Sequence, residues 1–296
     1  MKRLLLALAL VLAFVPAAPS AAAERIDQAG WAAAKKEVTL RSGIHLAYAE
    51  LGNPTGRPLL LLHGYTDTSR AWTILAPFLK DHRLLIPDQR GHGASDAPAC
   101  CYTIADYAED ARLFLDAMGV ERAAVAGHSM GSMVAQVLAA EHPERVTRIA
   151  LIGSTALVPI TRDSWMWKEI MALKQPIASN TAFLRQWSLA ASPTPVDAEL
   201  VRHADPETAA TRPHVWRSVL RELLDVPAGR FASEVKAPVL ILSGGKDELF
   251  PAEHHRALVA AYPGAEEKVF PGLGHNLVVE QPDAVGPVLA RFMANP

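Results

Sequence analysis

A serine in a glycine-flanked turn is the residue of this sequence best suited to covalent chemistry. The pentapeptide at 127–131 reads GHSMG, follows the apolar run Ala123–Ala126 and opens a stretch with helical spacing. A G-x-S-x-G sequence between a strand and a helix predicts a strained turn that lifts the serine hydroxyl clear of the sheet. A helix that begins beneath the serine also favours negative charge developing there. We therefore predict that Ser129 is a nucleophile.

A serine hydroxyl reacts well only when a base removes its proton and an acidic group orients that base. Asp247 follows the apolar run Val239–Leu242 in a glycine-rich loop, and His275 ends a second such loop. Loops after strand ends are where open α/β sheets bind ligands. We expect Asp247 to accept a hydrogen bond from Nδ1 of His275, whose Nε2 takes the proton from Ser129. Glu248, the next residue, is the alternative acid.

Two backbone amides are candidates for an oxyanion hole, which stabilises the charge formed when a carbonyl is attacked. The first is the N–H of Met130, directly after the nucleophile. The second is the N–H of Tyr65, in the loop that follows the apolar run Leu59–Leu62. Gly64 in that loop lets the backbone approach closely. The ring of Tyr65 either lines the pocket or is simply part of the packing.

Composition excludes several classes of protein. Of the 296 residues, 50% are hydrophobic and 20% are charged, which is too apolar for a disordered chain. The formal net charge of −2 lacks the basic surplus of a nucleic-acid-binding protein. Two adjacent cysteines and no clustered histidines do not suit a structural zinc site. We therefore expect no nucleic-acid partner and no metal. The chemistry predicted for Ser129, Asp247 and His275 acts on a small-molecule substrate and needs no organic cofactor.

The elements that must position these residues follow a repeating pattern. Short apolar runs alternate with amphipathic stretches, which predicts a mostly parallel sheet with helices on both faces. We predict strands at 38–41, 44–51, 59–62, 84–86, 123–126, 148–152, 239–242 and 268–270, and helices at 71–79, 104–118, 129–141, 252–261 and 281–293.

One long segment, 154–233, interrupts this pattern. It combines helical pieces with proline-rich loops, and it contains Trp165, Trp167 and Trp187. We interpret it as a helical lid inserted after the sixth strand, between the two parts of the core at 24–153 and 234–296. The three tryptophans would give a hydrophobic or aromatic substrate an apolar wall, although they could equally pack the lid itself.

The N-terminus has the pattern of a secretory signal peptide over residues 1–23. A basic start precedes the apolar run Leu4–Val15, and small residues end at Ala23. The run is short for a membrane span, so we expect an exported protein, periplasmic or extracellular, with no stable span once the signal is removed. A retained membrane anchor is the alternative.

The two cysteines, Cys100 and Cys101, are neighbours in the chain. Consecutive Cα atoms are about 3.8 Å apart, which is closer than the usual disulfide span. Export favours a strained bond between them. Two free thiols, or a bond between chains, remain open.

Together these motifs resemble the α/β-hydrolase family. The supporting segments are His63-Gly64, DQRGHGAS at 88–95, GHSMG at 127–131, GGKD at 244–247 and GHN at 274–276, in the family's order. The resemblance implies an α/β fold in which a mostly parallel eight-stranded sheet is flanked by helices, with a helical lid after strand 6. In the family the segment like 88–95 is mainly structural.

The resemblance also limits the types of reaction that we expect. Ser129 stands where epoxide hydrolases and haloalkane dehalogenases carry Asp, and serine suits attack on a carbonyl. Asn276 follows the histidine where carbon–carbon bond hydrolases commonly carry Trp. We expect a serine hydrolase of a carboxylic ester or lactone. A cofactor-free haloperoxidase or perhydrolase, a carbon–carbon bond hydrolase and a non-catalytic binding protein are the alternatives. Acyl-chain length and oligomeric state stay open.

Overall fold

The computed structural model describes residues 26–177, 181–225 and 227–295, and the predicted signal peptide at 1–23 lies outside them. The strands are β1 (Lys36–Thr39), β2 (His45–Gly52), β3 (Pro58–Leu62), β4 (Arg83–Pro87), β5 (Ala123–His128), β6 (Val146–Ile152), β7 (Val239–Gly244) and β8 (Glu266–Phe270). The α-helices are α1 (Trp31–Ala34), α2 (Ile104–Ala117), α3 (Met130–Glu141), α4 (Trp165–Ala172), α5 (Ala182–Trp187), α6 (Ala198–Ala210), α7 (Pro213–Asp225), α8 (Ala252–Ala261), α9 (Leu277–Glu280) and α10 (Pro282–Ala294).

The strands form one sheet in the order β1-β2-β4-β3-β5-β6-β7-β8. The pairs from β4 to β8 are parallel, whereas β1 with β2 and β2 with β4 are antiparallel. The predicted eight-stranded, mostly parallel sheet is confirmed, and the ends of its strands differ from the sequence prediction by at most two residues. Parallel strands bring the loops after β3, β5, β7 and β8 to one edge of the sheet.

The central strand β3 shows why its run of four leucines is apolar throughout. Leu59 and Leu61 pack in one core cluster with side chains of α10, and Leu60 and Leu62 pack in another with side chains of α2 and α3. All four are at most 1% exposed. A strand covered by helices on both faces has no side that water reaches, so it does not alternate.

The prediction of one continuous helix at 71–79 is wrong. The chain forms two short 3₁₀ helices there, Ser69–Trp72 and Ala76–Leu79. Pro77 lacks the N–H that an α-helix would use to bond the carbonyl of Thr73, which stops a helix of that length. The short helices α1 and α9 were not predicted, because four residues are too few to show a periodicity.

The segment between β6 and β7 carries α4 to α7, and we call residues 154–233 the insertion. The indole of Trp216 in α7 is fully buried, with the rings of Phe183 and Trp187 centred 5.7 and 5.3 Å away. Arg70 of the core and Glu207 of α6 form an ion pair at 2.6 Å. The insertion therefore has its own apolar cluster and a charged anchor on the core.

Cys100 and Cys101 are joined to each other by a disulfide in the loop before α2. This is one of the states left open by the sequence. The guanidinium of Arg90 donates to the carbonyl of Cys101 at 2.7 Å and fixes this loop to the core. None of the helices in the described parts of the chain combines the length and the apolar character needed to cross a membrane.

Candidate active site

Ser129 lies in the turn between β5 and α3 with φ 51° and ψ −120°. A positive φ is strained for a residue with a side chain, and such strain persists only where the surroundings hold it. The amide of Ser129 donates to the carbonyl of Ile152 at 2.9 Å, which ties the turn to β6. The side chain is largely buried and lines a pocket of about 980 Å³.

The glycines two positions before and two positions after the serine are required because a side chain at either position has no room. A Cβ on Gly127 would collide with the carbonyl of Gly131, and a Cβ on Gly131 would collide with the carbonyl of Leu62. Both obstacles are backbone, which cannot rotate away as a side chain can. The strand, the turn and the start of α3 are therefore packed against each other and against the end of β3.

His275 and Asp247 meet at the ends of β8 and β7. Nδ1 of His275 donates to Oδ2 of Asp247 at 2.8 Å. Oδ1 of Asp247 accepts from the amides of Leu249 and Phe250 at 2.9 and 2.8 Å. Burial alone would raise the pKa of Asp247, but the charge and hydrogen bonds of its partners outweigh burial and lower it. Asp247 is therefore held as a carboxylate that orients the imidazole.

Because Nδ1 of His275 carries the proton, Nε2 is the basic nitrogen of the ring. Nε2 is buried and has no hydrogen-bond partner among the described residues, Ser129 Oγ included. Hydrogen bonds between catalytic groups are often long when no substrate is bound. His275 and Ser129 nevertheless line the same pocket. Glu248, the alternative acid, is exposed and makes no hydrogen bond to the imidazole, so the structure brings Asp247 and not Glu248 to His275.

The amides of Tyr65 and Met130 are the predicted oxyanion donors. Both residues line the pocket, and neither amide donates to another residue that the structure describes. The carbonyl of Gly64 accepts from Nδ1 of His63 at 2.8 Å and from the amide of Asp67 at 3.2 Å. Because C=O and N–H point in opposite directions across a trans peptide, these bonds also fix the direction of the Tyr65 N–H.

His63 holds the peptide between Gly64 and Tyr65 in place, although the sequence marked it only as part of the His63-Gly64 motif. Its Nε2 accepts from the amide of Gln89 at 2.9 Å, so Nδ1 carries the proton. Burial lowers the pKa of His63 to about 3, which keeps the ring neutral and the tautomer unchanged. A buried histidine followed by glycine after a central strand is the signal that could have identified this role.

The three predicted substrate-binding tryptophans occupy different places. Trp165 is 47% exposed and lines the pocket. Trp187 also lines it, and its indole N–H donates to Oγ1 of Thr66 at 2.7 Å. Trp167 lies outside the pocket lining, with the guanidinium of Arg162 5.7 Å above its ring.

The pocket lining combines apolar and polar groups. Phe250 and side chains of α3, α4 and α7 are among the apolar ones. Its hydrogen-bonding groups include Gln186, Ser192 and Asn276, and the amide of Asn276 donates to Ser192 Oγ at 3.1 Å. Asp67 and His128, which had no assigned role, also lie in the lining.

Comparison with known proteins places these features in a family. The family described as "alpha/beta hydrolase fold" matches residues 57–282, more than half of the chain. Lipase 1 of Psychrobacter immobilis is 27% identical over 84% of this chain and 80% of its own length.

Solved structures have the same architecture. A hydrolase from Pseudomonas aeruginosa PA01 is 26% identical, with a TM-score of 0.77 over 88% of this chain and 98% of its own. The enol-lactonase from Burkholderia xenovorans LB400 is 23% identical, with a TM-score of 0.75 over 88% of this chain and 100% of its own. This chain belongs to the α/β-hydrolase family and is a hydrolase of that fold.

Proposed function

We propose that this protein is an exported serine hydrolase that cleaves a carboxylic ester or lactone through an acyl-enzyme on Ser129. The observation that carries the proposal is the Asp247–His275 hydrogen bond at the pocket that Ser129 lines. A relative named as a lipase and a structural neighbour named as an enol-lactonase support cleavage of an ester or lactone bond.

The reaction needs only groups of this chain and water. Ser129 Oγ attacks the carbonyl carbon while its proton passes to Nε2 of His275. The amides of Tyr65 and Met130 donate to the oxyanion of the tetrahedral intermediate. When the intermediate collapses, the alkoxide leaves with the proton from His275 and an ester to Ser129 remains.

Water completes the cycle. Nε2 of His275 takes a proton from the water as its oxygen attacks the acyl-enzyme carbonyl, and the same two amides receive the second oxyanion. The acid then leaves, and the proton returns to Ser129 Oγ. Asp247 remains ionised throughout and stabilises the imidazolium at each intermediate.

The pocket favours a substrate with a hydrophobic or aromatic part. At about 980 Å³ it is at the upper end of the usual range for small-molecule sites. Trp165 and Trp187 offer ring surface for apolar groups, whereas Trp167 is not part of this wall. We propose that the insertion acts as a lid, because its residues line the pocket together with those of the core.

Export is proposed from the residues before Glu24. The basic start and the apolar run have the pattern of a cleaved secretory signal. The mass and N-terminal sequence of the protein recovered from the periplasm or the culture fluid test it. A mature chain that begins near Glu24 supports export, and an intact Met1 on an intracellular protein contradicts it.

Turnover of a substrate panel tests the reaction. Wild type and Ser129→Ala are compared on p-nitrophenyl esters of graded acyl length, lactones, amides, and an ester with hydrogen peroxide. We expect ester or lactone hydrolysis by wild type that Ser129→Ala loses. Retained turnover in folded Ser129→Ala would contradict the acyl-enzyme, and products seen only with peroxide would favour a perhydrolase.

A further inference from the structure

Asp67 is a carboxyl group in the pocket that the proposed reaction does not use. Its side chain is 17% exposed. A Cβ built on Gly64 would lie 2.9 Å from Asp67 Oδ2 and 3.3 Å from Ser129 Cβ. The carboxyl therefore folds back over the loop of the proposed oxyanion donor, close to the nucleophile.

Asp67 faces a buried nitrogen that needs a hydrogen-bond donor. Nε2 of His128 and the carbonyl of His275 are 3.0 Å apart, so Nε2 carries the proton and Nδ1 carries the lone pair. Nδ1 has no hydrogen-bond partner among the described residues, and Oδ2 of Asp67 lies 3.9 Å from it. An ionised carboxyl would present a second lone pair to this nitrogen, whereas a protonated one can donate to it.

The electrostatic setting favours the protonated form. Burial raises the pKa of Asp67 to about 7, although the charge of His275 and a backbone hydrogen bond from Gly64 oppose the rise. Burial lowers the pKa of His128 to about 3, so that ring stays neutral.

The titratable and charged groups around Asp67 come from three other parts of the chain. His128 approaches from the end of β5, and His275 approaches from the loop after β8. Lys246, Asp247 and Glu248 line the same pocket from the loop after β7. No lysine or arginine of the described residues lies within ion-pair distance of Asp67, so nothing cationic offsets its burial except a protonated His275.

We propose that Asp67 is a positioning residue that acts as the neutral acid. A rotation of its side chain closes the 3.9 Å gap, so that its O–H donates to Nδ1 of His128, and the neutral form keeps negative charge away from the oxyanion donors. This inference rests on the proposed ester cleavage at Ser129. His128 in turn holds the backbone carbonyl of His275, so Asp67 is connected to the base through one ring.

Ionisation of Asp67 should slow the reaction. A carboxylate there would lie beside the forming oxyanion and repel it, and it would lose the hydrogen bond to His128. Above pH about 7, kcat should fall by roughly tenfold per pH unit until the slower ionised enzyme dominates. KM should change less, because the charge acts mainly on the transition state.

The test is the pH dependence of kcat and KM between pH 5 and 10 for wild type and three variants. Asp67→Asn supplies an amide donor to His128 without a titrating charge, so its kcat should not fall above pH 7. Asp67→Ala removes both donor and charge, so its kcat should be lower than that of Asp67→Asn at every pH but lack the alkaline fall. Glu248→Gln is the control, because it removes an exposed carboxylate from the same pocket and should keep the fall.

An alkaline fall in Asp67→Asn that parallels the wild type would overturn the inference, and so would a wild-type kcat that stays constant to pH 9. Melting curves at each pH show that the proteins are folded, and Asp67→Ser is a second neutral variant if Asp67→Asn does not fold. Turnover that survives Ser129→Ala would instead defeat the proposed function, so the two failures are distinguishable.

Discussion

Nδ1 of His275 lies 2.8 Å from Oδ2 of Asp247, although the two residues are 28 positions apart in the chain. The other carboxylate oxygen is held by two backbone amides, so the acid cannot turn away from the ring. This pair leaves Nε2 as the nitrogen that can accept a proton in the pocket of Ser129.

Asp247→Asn should keep the fold and reduce kcat by roughly 10⁴-fold, because an amide N–H directed at His275 favours the wrong tautomer. Glu248→Gln is the matched control and should keep most of its activity. Steady-state kinetics with circular dichroism make the comparison. If Glu248→Gln is the more damaging change, the assignment of the acid is wrong.

Activity should fall at acidic pH, because a protonated His275 cannot accept the proton from Ser129. The pKa of Asp247 is lowered, so the carboxylate persists to more acidic pH than an ordinary one and does not cause the fall. Its contribution to stability is likewise present above the unfolded pKa and is lost only as pH falls through the folded value. Profiles of kcat/KM check this, and undiminished turnover at pH 4 would contradict it.

The stability of the folded protein should depend on pH through Asp67. Burial raises its pKa to about 7, whereas the pKa of an aspartate in the unfolded chain is about 4. Between these two pH values the folded chain binds one proton more than the unfolded chain. Stability from this group is complete below the unfolded value and declines as pH rises through the folded one. The Tm of Asp67→Asn relative to wild type should therefore rise by several degrees between pH 4 and 8, as measured by calorimetry. Parallel Tm curves would show that burial does not raise the pKa.

Gly131→Ala should unfold or inactivate the protein, because the new Cβ meets the carbonyls of Leu62 and His63. A cost of about 2 kcal/mol or more is expected for overpacking against rigid backbone. Gly272→Ala is the control, since a Cβ there has open space around it. Denaturant unfolding compares the two, and equal stability would contradict the steric account of the turn.

Trp165→Ala should raise KM for aryl or long-chain esters by roughly tenfold, the size of one lost apolar contact in a pocket. The kcat should change little, because Trp165 is not in the reaction path. Trp167→Ala should change neither constant, since that ring lies outside the pocket lining. The reverse order of effects would contradict the assignment of Trp165, and not Trp167, to the substrate pocket.

The sheet and the proposed triad were predictable because their signals are local. Leu59–Leu62 is apolar at every position since both faces of β3 are covered, and GHSMG encodes its turn through two glycines without room for a side chain. Asp247 and His275 could be named because each lies in a glycine-rich loop of the kind that follows a strand.

Other features depend on contacts between distant segments and leave no local pattern. Asp67 and His128 are 61 positions apart, and only the folded chain brings an unpaired nitrogen beside a partly buried carboxyl. Trp165 and Trp167 are alike in the sequence, yet one lines the pocket and the other does not. The helix predicted at 71–79 runs through Pro77, and the chain forms two short 3₁₀ helices there instead.

The most direct measurement is covalent labelling with a fluorophosphonate, followed by mass spectrometry of the peptides. We expect one added phosphonyl group on Ser129, no label in Ser129→Ala, and much slower labelling in His275→Gln. A folded wild-type protein that takes up no label, or takes it up at another residue, would contradict the claim that Ser129 is an activated nucleophile.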